Sequence, residues 1–150
     1  MTGENYTRVP TGKLVNRGEP VIQTEKILTA TAKAGMLAVI DGNDYKCKPS
    51  DGTGIPVGFI GYEQTDYKYR PMDYETAYVA GNVVMVLAGG NFEIYAPVAA
   101  SQTVTIGTKL ADNGNGMLKV AGSTDKVVAM ALESKTTTAA GERVAVESLI

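Results

Sequence analysis

The chain has 150 residues, 44% of them hydrophobic, 17 glycines and a formal charge of −2. That length and composition suit one domain with a sizeable core, and a charge so near zero gathers neither nucleic acid nor an anionic membrane surface. Histidine and tryptophan are absent, which removes the commonest general base, the Ser/His and Cys/His nucleophile pairs and nearly every zinc site.

The opening stretch "MTGENYTRVPTGKLVNRGEP" carries Gly3, Pro10, Gly12, Gly18 and Pro20 and has no hydrophobic period. Residues 1–20 therefore read as an extended arm and not as a packed element. The arm lacks the apolar run of a signal peptide, and no stretch of the chain approaches the roughly 18 apolar residues of a membrane helix. Neither a membrane partner nor export is expected. Cys47 has no second cysteine to pair with, which fits a reduced compartment.

From Val21 onward short β-branched runs alternate with turn residues, which predicts a single all-β domain over residues 21–150. In chain order the strands are "MLAVI", "IPVGFIGYE", "VVMVLA", "FEIYAPV", "TVTIGTKLA", "KVVAMALES" and "RVAVESL". "DGN" at Asp41–Asn43, "GGN" at Gly89–Asn91 and "NGNG" at Asn113–Gly116 supply the positive-φ residues of tight hairpins. No run of ten residues keeps a 3.6 period, so little helix is expected, with 64–78 and 96–103 the places for a short one.

The programme runs twice. Gly35 and Gly42-Asn43 are matched by Gly107 and Gly114-Asn115, "VGFIGYE" at 57–63 by "VVAMALE" at 127–133, and "AGNVVMV" at 80–86 by "AGERVAV" at 140–146. This predicts a pseudo-repeat in which each half is a sheet too small to bury its own apolar face and the other half covers it. The pairs Val84 and Val86, and Val144 and Val146, should point to one face by the period of two.

The halves differ by a ten-residue insertion in the first, and five of the eight tyrosines, Tyr62, Tyr67, Tyr69, Tyr74 and Tyr78, lie in or at the edge of residues 64–78. Tyrosine beside Arg70 and Met72 is the composition of a protein contact surface, and equally of a cap laid over a barrel end. Tyr67, Tyr69, Arg70, Met72 and Tyr74 are the candidate contact residues there.

Catalytic chemistry is not written elsewhere. Cys47 lacks a His partner, although Lys46 and Lys48 could lower its pKa. Asp41, Asp44 and Asp51 miss the spacing of an EF-hand loop and read as turn residues. Glu63 and Glu133 end matching strands without an aromatic platform for a glycosidase, and "GTGIPVG" is followed by no GK[ST]. No catalytic residue, metal or cofactor is predicted.

A short arm followed by a Gly/Ala/Val-rich β domain resembles the capsid decoration, or cement, proteins of tailed bacteriophages. The likeness is carried by "TATAKAGMLAVIDGN", "AGNVVMVLAGGNFEIY", "TIGTKLADNGNGMLKVAG" and "AAGERVAVESLI", about half of the chain. It implies a small β-barrel or β-tulip protein with no enzymatic role, seated on the outer surface of the head as homotrimers. There it would clamp neighbouring major capsid protein subunits, the arm adding a strand to the shell through Tyr6, Arg8, Val9, Pro10 and Leu14. A head-to-tail completion or tail-tube subunit would share the arm and β domain. A carbohydrate-binding module using tyrosine platforms is the reading from another class.

Overall fold

The computed structural model of the chain describes residues 13–150. Its strands are β1 (Val15–Arg17), β2 (Ile22–Leu28), β3 (Leu37–Asp41), β4 (Asn43–Pro49), β5 (Pro56–Ile60), β6 (Val83–Ala88), β7 (Glu93–Val98), β8 (Thr103–Val104), β9 (Lys109–Gly114), β10 (Met117–Val120), β11 (Val127–Ala131), β12 (Lys135–Thr136) and β13 (Glu142–Ser148). Among the described residues there is no helix. The expected helical stretch 64–78 is a chain of turns, because Asp66 and Asp73 accept hydrogen bonds from the backbone N–H groups of Lys68, Glu75 and Thr76 at 2.9–3.0 Å. An aspartate that satisfies the backbone two or three residues ahead stabilises a turn at the expense of a helix. Residues 96–103 fall instead in the end of β7, a turn and the start of β8.

Two barrels are built in tandem. In the first, the strands close in the order β2-β4-β3-β5-β6. In the second the order is β7-β10-β9-β11-β13, and β13 returns to pair with β7, which closes the ring. Each barrel starts with a strand that lies antiparallel to the barrel's last strand, over six residue pairs in β2–β6 and six in β7–β13. That same strand lies parallel to the second strand of the glycine hairpin, through Ile27↔Lys46 and Leu28↔Cys47 in one barrel and Leu118↔Val98 in the other.

The repeat read from the sequence is therefore real down to single hydrogen bonds. Gly35 N–H donates to Ile60 O at 2.6 Å and Gly107 N–H to Ala131 O at 2.8 Å; Gly81 N–H donates to Leu28 O at 2.8 Å and Gly141 N–H to Val98 O at 2.9 Å. Gly81 and Gly141 have φ of 96° and 92°, a conformation that a Cβ would strain, which is why both AG phrases keep glycine.

Two details of the expected repeat are corrected. Each half closes on itself and is not an open sheet covered by the other, because the parallel contact that completes each ring joins segments far apart in sequence. In addition, Gly61 N–H donates to Met85 O and Leu132 N–H to Ala145 O, so the matching positions are Gly61 and Leu132, and Glu63 and Glu133 stand one residue out of step.

A continuous apolar core runs through both barrels, from Leu28, Cys47, Phe59, Val84 and Val86 to Ile94, Leu110, Leu118, Val144 and Val146. The four valines expected to share a face are at most 2% exposed. At about 1.5–3 kcal/mol for each fully buried aliphatic or aromatic side chain, this shared interior supplies the main favourable term. Phe59 meets Phe92 edge to face at 6.4 Å between the barrels. Beside them the β9–β10 hairpin leans on the first barrel: Leu37 N–H donates to Gly116 O and Gly116 N–H to Ser50 O, both at 2.9 Å, and Ser50 Oγ donates to Asp112 Oδ1 at 2.7 Å.

The region expected to be an arm contributes to this fold. β1 pairs antiparallel with β7 through Val15↔Ile94 and Arg17↔Glu93, and the Leu14 side chain is fully buried. Residues 14–17 thus belong to the second barrel although they precede the first.

Candidate interaction surface

The insertion between β5 and β6 folds as a layered cap. Its inner layer is Tyr78, 1% exposed, whose hydroxyl donates to Gly61 O at 2.8 Å; burial pushes that phenol up to about 12, so it remains a neutral donor. In the next layer the Tyr62 and Tyr74 rings meet edge to face at 6.2 Å, and Tyr62 Oη donates to Pro71 O at 2.8 Å. Burial likewise raises the Tyr74 pKa, against the opposing influence of Arg143.

Arg143, on β13, fastens this cap to the second barrel. Its guanidinium lies 4.8 Å from the Tyr74 ring centroid, donates to Tyr95 O at 2.7 Å and to Tyr74 O at 2.9 Å, and pairs with Glu75. One side chain therefore joins the second barrel to the insert. Arg70 plays a local part, with its guanidinium over Tyr62 at 5.3 Å and Tyr67 at 5.7 Å and a bond to Glu63 O at 3.3 Å. The Glu63 carboxylate in turn accepts from the backbone N–H groups of Leu14 and Val15, and so pins the chain where it enters β1.

The candidate residues divide accordingly. Tyr67 is 83% and Met72 88% exposed, and they form the outward face; Tyr69, Arg70 and Tyr74 are half-buried in the cap. The cap reading holds for Tyr78, Tyr62 and Tyr74, which pack in layers, whereas Tyr67 points away from them. Tyr6, Arg8, Val9 and Pro10 lie outside the described residues. Leu14 is corrected as a surface anchor, since its side chain packs in this chain's own core. Arg143 and Glu63 were not singled out as fasteners of the insert, because nothing local to them in sequence signals contacts 69 and 49 positions away.

The remaining reactive groups have structural employment. Burial pushes the Cys47 thiol up to about 11, outweighing the lowering by nearby Lys26, so it is held protonated and inert. Asp51 accepts from Thr53 Oγ1 and N–H at 2.8 and 3.0 Å, and these bonds hold its carboxyl at about 2; it is a turn cap. Buried Glu133 accepts from Ala145 N–H at 3.1 Å. No group of three or more metal-ligating side chains occurs among the described residues.

No protein-family profile matches the chain, and no curated protein matches it. Among solved structures it is similar to the N base of the head fiber gp8.5 of bacteriophage phi29, with a TM-score of 0.55, 14% sequence identity, and coverage of 85% of this chain and 92% of that one. At that identity the likeness is one of fold, and it spans both barrels' worth of chain.

Proposed function

We propose that this chain is a structural component of a phage head, seated on the outer surface of the shell, where it ties neighbouring major capsid protein subunits together. The observation that carries the reading is the similarity, over 85% of the chain, to a protein named as the base of a phage head fiber. Consistent with it, Tyr62, Tyr74 and Tyr78, the buried thiol and the carboxylates described above serve packing, turns or fastening. Two elements are assigned to shell contact: the segment before Lys13, with Tyr6, Arg8, Val9 and Pro10, and the outward face of the insert, Tyr67 and Met72. Assembly as a homotrimer would multiply such contacts by effective concentration and make release slow.

The test is co-sedimentation with expanded, undecorated heads of the parent virus. The full chain should bind saturably and raise the temperature at which the heads open. Tyr67→Ala with Met72→Ala should weaken binding at least tenfold, the scale of one lost aromatic anchor at about 1.4 kcal/mol. Absence of saturable binding by the full chain would overturn the proposal; ring formation by the isolated protein would then favour a tail-tube or head-to-tail component.

A further inference from the structure

The face by which the first barrel meets the second recurs on the second barrel. In the first barrel it consists of the turn at Ala34 and Gly35 and the cross-strand pair Leu37↔Phe59. Ala34, Leu37 and Phe59 are fully buried, Phe59 against Phe92, and a Cβ on Gly35 would lie 2.8 Å from Tyr95 O and 2.5 Å from the Arg143 guanidinium. Gly35 and Gly107, and with them Ile60 and Ala131, are matched by equivalent hydrogen bonds. The same face on the second barrel is therefore Ile106, Lys109 and Met130, of which the last two are again a cross-strand pair. Here it is open. Ile106 is 57% exposed, Lys109 is exposed and Met130 is half-buried. Among the described residues, a Cβ on Gly107 would meet nothing within 4 Å.

The receiving surface is repeated as well. In the second barrel it is Phe92, Tyr95 and Arg143, all of them buried or nearly so. Val98 and Leu28 accept equivalent bonds from Gly141 and Gly81, and this match puts Ile22, Glu25 and Val83 in those three places on the first barrel. Ile22 is 51% exposed, Glu25 is exposed and Val83 is half-buried. Glu25 and Val83 line a groove of about 160 Å³ together with Met85 and Tyr69. The chain thus holds one complete contact between its barrels and the two separate halves of another.

We infer that these halves join copies of this chain head to tail, the Ile106 face of one copy seating on the Ile22, Glu25 and Val83 face of the next. Three observations select a second copy as the occupant. The contact continues the one already formed between the barrels, with Met130 brought to Ile22 as Phe59 is to Phe92, and with sizes exchanged in compensation: Ile106 replaces the smaller Ala34 where Val83 replaces the larger Arg143. The charges also match. Lys109 flanks Ile106, whereas Glu25 and Asp66 edge the groove, and the one lysine there, Lys68, is turned onto the Tyr69 ring at 4.9 Å. Finally, the turn is set before docking, because Thr108 N–H donates to Thr105 O at 2.9 Å and Thr105 N–H to Thr108 Oγ1 at 3.0 Å, so little freedom is lost on contact. A head-to-tail contact builds a ring or a file, and a two-fold dimer cannot satisfy both halves. This inference does not rest on the phage-head reading, because it concerns copies of the chain by themselves.

The test is sedimentation of the isolated full chain over a range of concentrations, beside the variants Ile106→Arg and Val83→Arg. The full chain should reach assemblies of three or more copies. Each variant alone should associate at least tenfold more weakly, the scale of one lost anchor. An equimolar mixture of the two should form a one-to-one dimer that grows no further, because one supplies the intact groove and the other the intact Ile106. A full chain that stays monomeric, or that stops at a dimer, would overturn the inference. So would a folded variant that assembles as the full chain does, or a mixture of folded variants that stays monomeric. Glu25→Lys, an exposed substitution that leaves the core alone, replaces Val83→Arg if that variant fails to fold; it should weaken assembly severalfold, and unchanged assembly would contradict the assignment.

Discussion

Replacing Arg143 with alanine tests whether one side chain holds the insert on the second barrel. The guanidinium is 8% exposed, so its loss leaves Tyr95 O without its donor at a cost of about 1–3 kcal/mol. Tyr74 O lies nearer the surface and can recruit water, and the contact with the Tyr74 ring adds about 1 kcal/mol. The ion pair with Glu75 counts for little, about 0.5 kcal/mol, because that carboxylate is 56% exposed. The total is about 3 kcal/mol, or a fall of roughly 6–12 °C in Tm for a protein of this size. Urea unfolding and calorimetry would measure it, and tryptic cleavage after Lys68 and Arg70 should accelerate as the insert loosens. Glu75→Gln should cost no more than about 0.5 kcal/mol. If Glu75→Gln proved as damaging as Arg143→Ala, the carbonyl contacts would not be the source of stability and the reasoning would fail.

Leu14→Ala should destabilise the protein by about 2–4 kcal/mol in urea, as for a core leucine, while any variant still folded keeps its affinity for a shell. Gly116→Ala combines a φ of 73° with a Cβ only 2.8 Å from Met36 Cβ at the junction of the barrels, and should cost about 2–3 kcal/mol; a neutral result would mean the β9–β10 hairpin shifts freely. Glu142 accepts from Ala139 N–H, from Thr138 Oγ1 at 2.8 Å and from Thr138 N–H at 2.6 Å, and these bonds hold its carboxyl at about 2. Since the folded pKa lies below the ordinary 4.5, its contribution is complete above pH 4.5 and is lost as pH falls towards 2. The Thr138 and Ala139 amide resonances should titrate in that window, and Glu142→Gln should abolish the titration.

Much of the β architecture was legible because its cues are local. The turn glycines and asparagines, the alternating valines at 84/86 and 144/146, and the repeated AG phrase all report conformation within a few residues. What escaped has the opposite character. β4 and β2 are mainly polar, and β2 is mostly exposed, so no alternation marks "NDYKCKP" or "IQTEKIL" as strands. Closure of each barrel depends on one or two parallel pairs between distant segments, which no local period encodes. Leu14 and Val15 belong to a stretch without a period of its own, and they acquire a place only because β7 offers them an edge. Within the insert, composition marked a cap or a contact surface, and only geometry could separate buried Tyr78 from exposed Tyr67.

The threading of β1 has a mechanical meaning. Because residues 14–17 lie on β7, tension applied to the N-terminal segment enters the second barrel first, though the first barrel is next along the chain. The antiparallel pairs of β1 would be loaded together in shear, and the Glu63 carboxylate would carry part of the force into the insert of the first barrel. From there Arg143 returns it to β13. The load path is a loop through both barrels, so a pull at Lys13 draws them against one another instead of peeling one away.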